Sequence, residues 1–428
     1  MREVFFLHDI KYLLIPIISG ILIALPFSYP ALFFLSWIGL IPFLIFIEKR
    51  KENRDTAFIP VFLCGTLLGS TIIVLSSGWL YYPLIDYSGL PWILGVLLLI
   101  LLFLFLGSFY GLWALLYTYT KRSSGISPFL LAISWTAIEY LRFRLLSAYP
   151  FAFLAYTQCA FYYLLQLAEY GGIYLTGFIV LLINAYLARI FTEKKLRFAV
   201  PVVLIFVIII TTGLIKDREF RDAEYEKFRV GIVQTKIDPV DKWKVDNIEG
   251  ITDLLVAGSK DLAADSNLII WPETALTFDL VRNEFYRERF LKKVADIDTY
   301  MLVSCHAVMD DSLEQYNSSF LLSPSAVFEG RYNKMKLVAF GEYIPLSGLV
   351  EKLTGTSWSS QLAGDEATIF RIDDTSWRVA ICSEILYPGL VQMGIDEADF
   401  LVNQSNEAWY RRGNLQQQMW AAAVFRAV

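Results

Sequence analysis

Seven apolar runs fill the first half of this chain, at about 12–28, 31–47, 58–76, 91–118, 127–145, 173–191 and 198–215. Each is near the roughly 17–25 residues that cross a bilayer as a helix. Inside a bilayer no water can satisfy a backbone N–H or C=O, so spanning runs must pair their own backbone. Residues 1–215 are therefore expected to form a multi-pass α-helical membrane domain of about seven helices. Residues 1–11 carry charge but no cleavable pattern, which makes the first run an anchor.

Charge sets the orientation. Lys49-Arg50-Lys51 with Arg54, Lys121-Arg122, and Lys194-Lys195 with Arg197 fall in alternate loops, while residues 79–91 hold no Lys or Arg. The positive-inside rule puts those basic loops and the N-terminus in the cytoplasm. An odd number of spans then delivers residues 216–428 to the opposite face, which in a bacterial inner membrane is the periplasm. Within the runs, Gly65 and Gly69 form a GxxxG suited to close helix approach. Glu139, Arg142 and Arg144 interrupt the fifth run, and Glu139 and Arg142 are spaced to pair on one helix face. Residues 148–170, rich in Tyr and Phe, read as interfacial.

Of 428 residues, 56% are hydrophobic and 18% charged, and the charge gathers from Lys216 onward, so a second domain is expected at 216–428. The net charge of -5, without a dense basic block, argues against nucleic acid as a partner. From Phe228, short β runs at 229–234, 267–271, 300–305, 318–323, 327–332, 377–382 and 399–403 alternate with helical segments at 245–264 and 281–297. That alternation predicts an α/β domain with helix-covered sheets. The two histidines, His8 and His306, exclude a His-based metal cluster, and no Gly-rich phosphate loop or nucleophile elbow of the G-x-S-x-G type is present. No cofactor is expected.

What remains is chemistry without histidine. Trp271-Pro272-Glu273-Thr274, Tyr332-Asn333-Lys334 and Ile381-Cys382-Ser383-Glu384 each close a predicted strand. Together they offer a carboxylate, an ammonium and a thiol, the groups needed for acyl transfer through a thioester. A helix opening at Ser383 would favour the Cys382 thiolate. Taken singly, Glu273 reads as solvated and Lys334 as a surface lysine. Cys305 and Cys382 could instead form a disulfide in an oxidising compartment.

These motifs, with the stretch 337–346 reading LVAFGEYIPL and the SNEAWY of 405–410, resemble the nitrilase (carbon–nitrogen hydrolase) superfamily, and within it the membrane-bound N-acyltransferases of apolipoproteins. The resemblance implies a nitrilase-like αββα sandwich and assigns Glu273 as general base, Lys334 as oxyanion stabiliser and Cys382 as nucleophile. It implies supporting or substrate-binding places for Trp243, Gly341, Glu342, Ser383, Glu384 and Trp409, and it fits Gln234. It also implies a phospholipid acyl donor, the N-terminal amine of a diacylglyceryl-cysteine apolipoprotein as acceptor, and further strands and a closing transmembrane helix beyond Val428. Ser383 stands where the family usually has Tyr, Ala339 where Pro is customary, and Gln417 where His is common. A membrane-tethered amidase and a binding protein with a vestigial triad are the rival readings. Residues 347–365 are long enough to act as a lid.

Overall fold

The computed structural model describes residues 11–52, 58–88, 90–119, 127–145, 149–309, 314–339, 341–343, 352, 361–411 and 413–428. The chain divides into two units, residues 1–223 with 410–426, and residues 224–409.

The first unit is helical: α1 (Lys11–Ser28), α2 (Ile41–Glu52), α3 (Phe58–Ser77), α4 (Trp92–Tyr119), α5 (Ser127–Leu145), α6 (Ala168–Glu193) and α7 (Ala199–Asp222). A tight helical turn, Pro30–Trp37, precedes α2 within the second predicted run. Each predicted run thus coincides with helix, but five segments among the described residues are long and apolar enough to cross a membrane: Pro30–Lys49, Phe58–Leu80, Trp92–Thr118, Ala168–Glu193 and Leu196–Asp222. The first run yields a shorter apolar helix, Leu13–Ser28. The fifth is broken by the three charges of α5, Glu139, Arg142 and Arg144.

Close approach of α3 and α4 follows from small residues on both. A methyl group added at Gly69 would fall 2.8 Å from the Gly107 carbonyl oxygen, and one added at Gly111 would fall 2.8 Å from that of Phe62. In α5 the charges do a different job from the expected ion pair. Arg142 Nη2 donates to the carbonyls of Phe151 (2.8 Å) and Ala152 (3.2 Å), while Glu139 Oε1 accepts from Leu154 N–H (2.8 Å). Residues 149–153 are buried without regular structure. Non-helical backbone in a membrane unit needs internal partners, and these two side chains supply them. This part of the aromatic stretch is therefore packed inside the helical unit. The last helix, Leu415–Arg426, packs in the same unit: Phe425 meets the Tyr156 ring at 5.7 Å, and Asn414 Nδ2 donates to Ser28 Oγ (2.9 Å).

In the second unit, β1 (Val230–Ile232), β2 (Leu268–Ile270), β3 (Tyr300–Val308), β4 (Gln315–Leu322) and β5 (Phe328–Asn333) form one sheet in that order. The first three strands are parallel, and β4 runs antiparallel to β3 and β5. The second sheet is β6 (Ile369–Ile372), β7 (Thr375–Ile381) and β8 (Phe400–Gln404), with β7 and β8 parallel. Helices α8 (Ile248–Ala263) and α9 (Glu284–Ala295) cover the larger sheet, burying Leu255, Phe290 and Val294 against Ile269, Trp271 and Met301. Its other face meets the smaller sheet through Leu268, Leu302 and Tyr332 against Trp377, Val379 and Ile381. One-turn helices lie on the far side of the smaller sheet, where Arg378 Nη1 donates to the carbonyls of Leu390 (3.0 Å) and Val391 (3.1 Å). The domain is an α/β sandwich of the nitrilase type. Strand β6 was not anticipated. It is four residues long and joins β7 by a turn at Asp373, whose φ is +51°.

Because β4 reverses direction, β2, β3 and β5 end on the same side. The loops that follow β2, β5, β7 and β8 meet there.

Candidate active site

Glu273 is carried three residues past β2, where the chain turns sharply. Thr274 has a φ of +48°, a backbone region that branched residues seldom adopt. The turn is held by Thr274 N–H donating to Ser304 Oγ (3.0 Å) and by Lys242 Nζ donating to Thr274 Oγ1 (3.1 Å) and to the Glu273 carbonyl (3.4 Å). The Glu273 carboxylate is buried rather than solvated. Its Oε1 accepts from Asn317 Nδ2 (2.8 Å) and its Oε2 from Asn406 N–H (2.9 Å).

Lys334 follows β5 directly and is fully buried, not a surface residue. Its N–H donates to the Asn317 carbonyl, and its own carbonyl accepts from Gly364 N–H, both at 2.8 Å. Its ammonium donates to Glu342 Oε1 (2.7 Å) and stands 3.6 Å from Glu273 Oε1. Burial alone would lower its pKa. Cys382, whenever it ionises, and the carboxylates of Glu273 and Glu342 outweigh that and hold it above the ordinary lysine value.

Cys382 follows β7 in a left-handed backbone conformation, φ +54°. Such geometry costs energy and persists where neighbours enforce it. Here Asn403 Nδ2 bridges the carbonyls of Ala380 (2.9 Å) and Cys382 (3.1 Å). Burial of the sulfur pushes the thiol pKa well above its usual value, and the Glu273 carboxylate raises it further, while Lys334 opposes. The thiol is thus protonated at rest. The helix expected to open at Ser383 is replaced by a five-residue turn, Cys382–Leu386, with little dipole to favour a thiolate. All four cysteines are free, and Cys305 lies in the core beneath α8 and α9, which removes the disulfide alternative.

Glu384 ties two of these loops together. Its Oε1 accepts from the N–H groups of Met335 (2.7 Å) and Lys336 (2.9 Å), and its Oε2 from Tyr332 OH (2.8 Å) and Ile381 N–H (2.7 Å). Burial raises its pKa, against the pull of those donors. Glu342 Oε2 also accepts from Val338 N–H (2.8 Å), so one carboxylate fixes both its own turn and Lys334.

The remaining predicted residues lie at varied distances from this cluster. Trp243 is 40% exposed, and its ring stacks on His306 at 5.4 Å and 17°. Gly341 is exposed in the turn that carries Glu342. Ser383 is half-buried beside the cysteine, Trp409 is half-buried in the turn Glu407–Tyr410, and Gln234 is exposed just past β1. Most of the proposed lid, 347–365, lies outside the described residues. Sequence reasoning missed Asn317, Asn406 and Lys242. Asn317 sits opposite His306 in the β3–β4 register, a pairing that no local pattern discloses. Lys242 was legible only as the residue before Trp243. Among the described residues, no group of three His, Cys, Asp or Glu is placed to hold a metal ion.

The family model for the apolipoprotein N-acyltransferase N-terminal domain matches residues 19–186, and that for carbon–nitrogen hydrolase matches residues 229–428. The chain is 30% identical to an apolipoprotein N-acyltransferase of Geobacter metallireducens, over 97% of this chain and 81% of that protein. It is 27% identical to one of Aquifex aeolicus, over 98% of this chain and 90% of that protein. Among solved structures, an amidase from Nesterenkonia sp. aligns with 43% of this chain and 66% of its own at 13% identity, with a TM-score of 0.32. By the extent and identity of the Geobacter match, this chain belongs to the apolipoprotein N-acyltransferase family.

Proposed function

We propose that this membrane-embedded enzyme moves an acyl chain from a phospholipid to the α-amine of a diacylglyceryl-cysteine at a lipoprotein N-terminus, with Glu273, Lys334 and Cys382 as its catalytic residues. The observation that carries the proposal is the buried cluster of Glu273, Lys334 and Glu342 within electrostatic reach of Cys382, gathered past the ends of three strands, β2, β5 and β7.

Because the thiol is protonated at rest, proton removal and attack go together. Glu273 takes the thiol proton as the sulfur adds to the ester carbonyl. The resulting oxyanion is stabilised by the Lys334 ammonium, a fixed charge in a dry site. Collapse breaks the ester C–O bond, and the lysophospholipid oxygen leaves with the proton from Glu273, giving a thioester on Cys382. The acceptor amine then adds to the thioester carbonyl and gives a proton to Glu273. The C–S bond breaks, the sulfur regains that proton, and an amide remains.

Both substrates are anchored in lipid at about 0.8 kcal/mol per buried CH₂, which gives the spanning helices their purpose. The alternating basic loops support a periplasmic site on an inner-membrane protein, with the transmembrane domain over 1–215 and the catalytic domain following it. The test supplies a phospholipid with a labelled acyl chain and a diacylglyceryl-cysteine peptide. Label in the peptide amide supports the transfer, and label released only as free fatty acid contradicts it in favour of a hydrolase.

A further inference from the structure

Lys242 ends the one-turn helix Pro239–Lys242, which Asp238 caps by accepting from Val240 N–H at 2.9 Å. Its side chain is buried, with 8% of the residue exposed. The ammonium donates to two neutral oxygens, Thr274 Oγ1 at 3.1 Å and the Glu273 carbonyl at 3.4 Å. Among the described residues, no carboxylate oxygen comes within 4.0 Å of it; the adjacent Asp241 pairs with Lys244 instead, at 2.6 Å. A buried ammonium without a contacting counter-ion is costly. Hydrophobic packing alone would be met by a Met or Leu of similar length. The position of the charge, against the loop that carries Glu273, points to a use.

We infer that Lys242 is a positioning residue for the acylation step, holding the Glu273 turn by its backbone and adding a second buried positive charge beside that carboxylate. The hydrogen bond to Thr274 Oγ1 secures the residue whose backbone is left-handed, and that turn aims the Glu273 carboxylate at Asn317 and Asn406. With Lys334, Lys242 balances the charges of Glu273 and Glu342. Loss of its proton leaves the site with excess negative charge while sulfur and carbonyl oxygen must both become more negative.

The groups facing Lys242 are Glu273, which favours its charge, and His306, whose charging Lys242 disfavours and which shares with it a contact to the Trp243 ring. Glu342 and Lys334 act on His306 in opposite senses. Burial draws the Lys242 pKa down to about 8, so the charge is lost within reach of ordinary buffers.

This inference rests on the proposed acylation of Cys382, and the experiment separates the two. Purified protein in detergent micelles is mixed with phospholipid, and acyl adduct on Cys382 is followed by mass spectrometry from pH 6 to 10. Wild type, Lys242→Arg and Lys242→Met are compared, with thermal unfolding of each. Wild type is expected to slow above pH ~8, while Lys242→Arg, which keeps its charge, extends the alkaline limb by about one pH unit or more. Lys242→Met is expected to lose about tenfold or more at pH 7 without a change in the substrate concentration giving half-maximal rate. An unchanged alkaline limb in Lys242→Arg overturns the inference, as does a Lys242→Met protein that acylates at the wild-type rate. Should Lys242→Met not fold, the Lys242→Arg profile decides alone. Absence of adduct in wild type overturns the acylation reading itself, and this inference with it.

Discussion

The Lys334 ammonium donates to Glu342 Oε1 at 2.7 Å yet stands 3.6 Å from Glu273 Oε1. The tighter partner is therefore the carboxylate assigned no proton transfer, and it holds the lysine off the one that is. Glu342→Gln should let Lys334 close on Glu273 and weaken it as a base. The expected loss in single-turnover acylation is about a hundredfold, ~2.7 kcal/mol of barrier. Retained thermal stability would show that the effect is on chemistry.

Charge swaps around the thiol should separate its ionisation from its catalysis. Glu273 raises the Cys382 pKa and Lys334 lowers it. In Glu273→Gln, alkylation of Cys382 by an uncharged reagent at pH 9 should therefore speed up, although acylation falls by about 10²–10⁴-fold with the base removed. In Lys334→Met both rates should fall. Parallel pH–rate profiles for alkylation in the two variants check the signs.

The same shift makes stability depend on pH in a stated direction. Folding raises the Cys382 pKa, so above the pKa of a free thiol the unfolded chain loses a proton that the folded site retains. Stability is then lost as pH rises past about 8.5. Cys382→Ala should flatten that part of the curve of unfolding temperature against pH.

Glu384 accepts four hydrogen bonds that join the turn after β5 to the end of β7. Glu384→Ala would orphan four donors, two of them fully buried, at about 1–3 kcal/mol for each one that finds no water. Unfolding temperature should drop by several degrees and acylation should be lost with it. Glu384→Gln, which keeps the shape and some acceptor capacity, should recover part of both.

In the helical unit, Arg142→Ala would strip the Phe151 and Ala152 carbonyls of a donor and leave Glu139 buried nearby. Breaking such a buried polar set costs about 3–5 kcal/mol. Faster thermal aggregation in detergent is the expected result.

The helices and the strand-end positions of Glu273, Lys334 and Cys382 were readable because both are local patterns: long apolar runs, and short β runs closed by a polar residue. The burial of Glu273 and Lys334 was not readable. It comes from Asn317, Asn406 and Glu342, which register and loop closure bring from 44, 133 and 69 residues away in the case of Glu273. The orientation of β4 puts Asn317 under both carboxylates, and no period in its own segment announces that. The expected helix after Cys382 did not form for a local reason: Ser383-Glu384-Ile385 looked like a helix start, but Glu384 turns back to Ile381 N–H and the turn ends at Leu386. The Glu139–Arg142 spacing suggested a pair because the partners that claim the two side chains, the nonhelical carbonyls of Phe151 and Ala152 for Arg142 and the Leu154 N–H for Glu139, are invisible from α5 alone.

The account depends on a covalent acyl-sulfur intermediate, and intact-mass and peptide mass spectrometry of the purified protein with phospholipid tests it most directly. A single acyl chain on the peptide bearing Cys382, removed by neutral hydroxylamine and absent in Cys382→Ala, is the predicted result. An acyl chain on a different residue, or turnover with no adduct and full activity in Cys382→Ala, would contradict it.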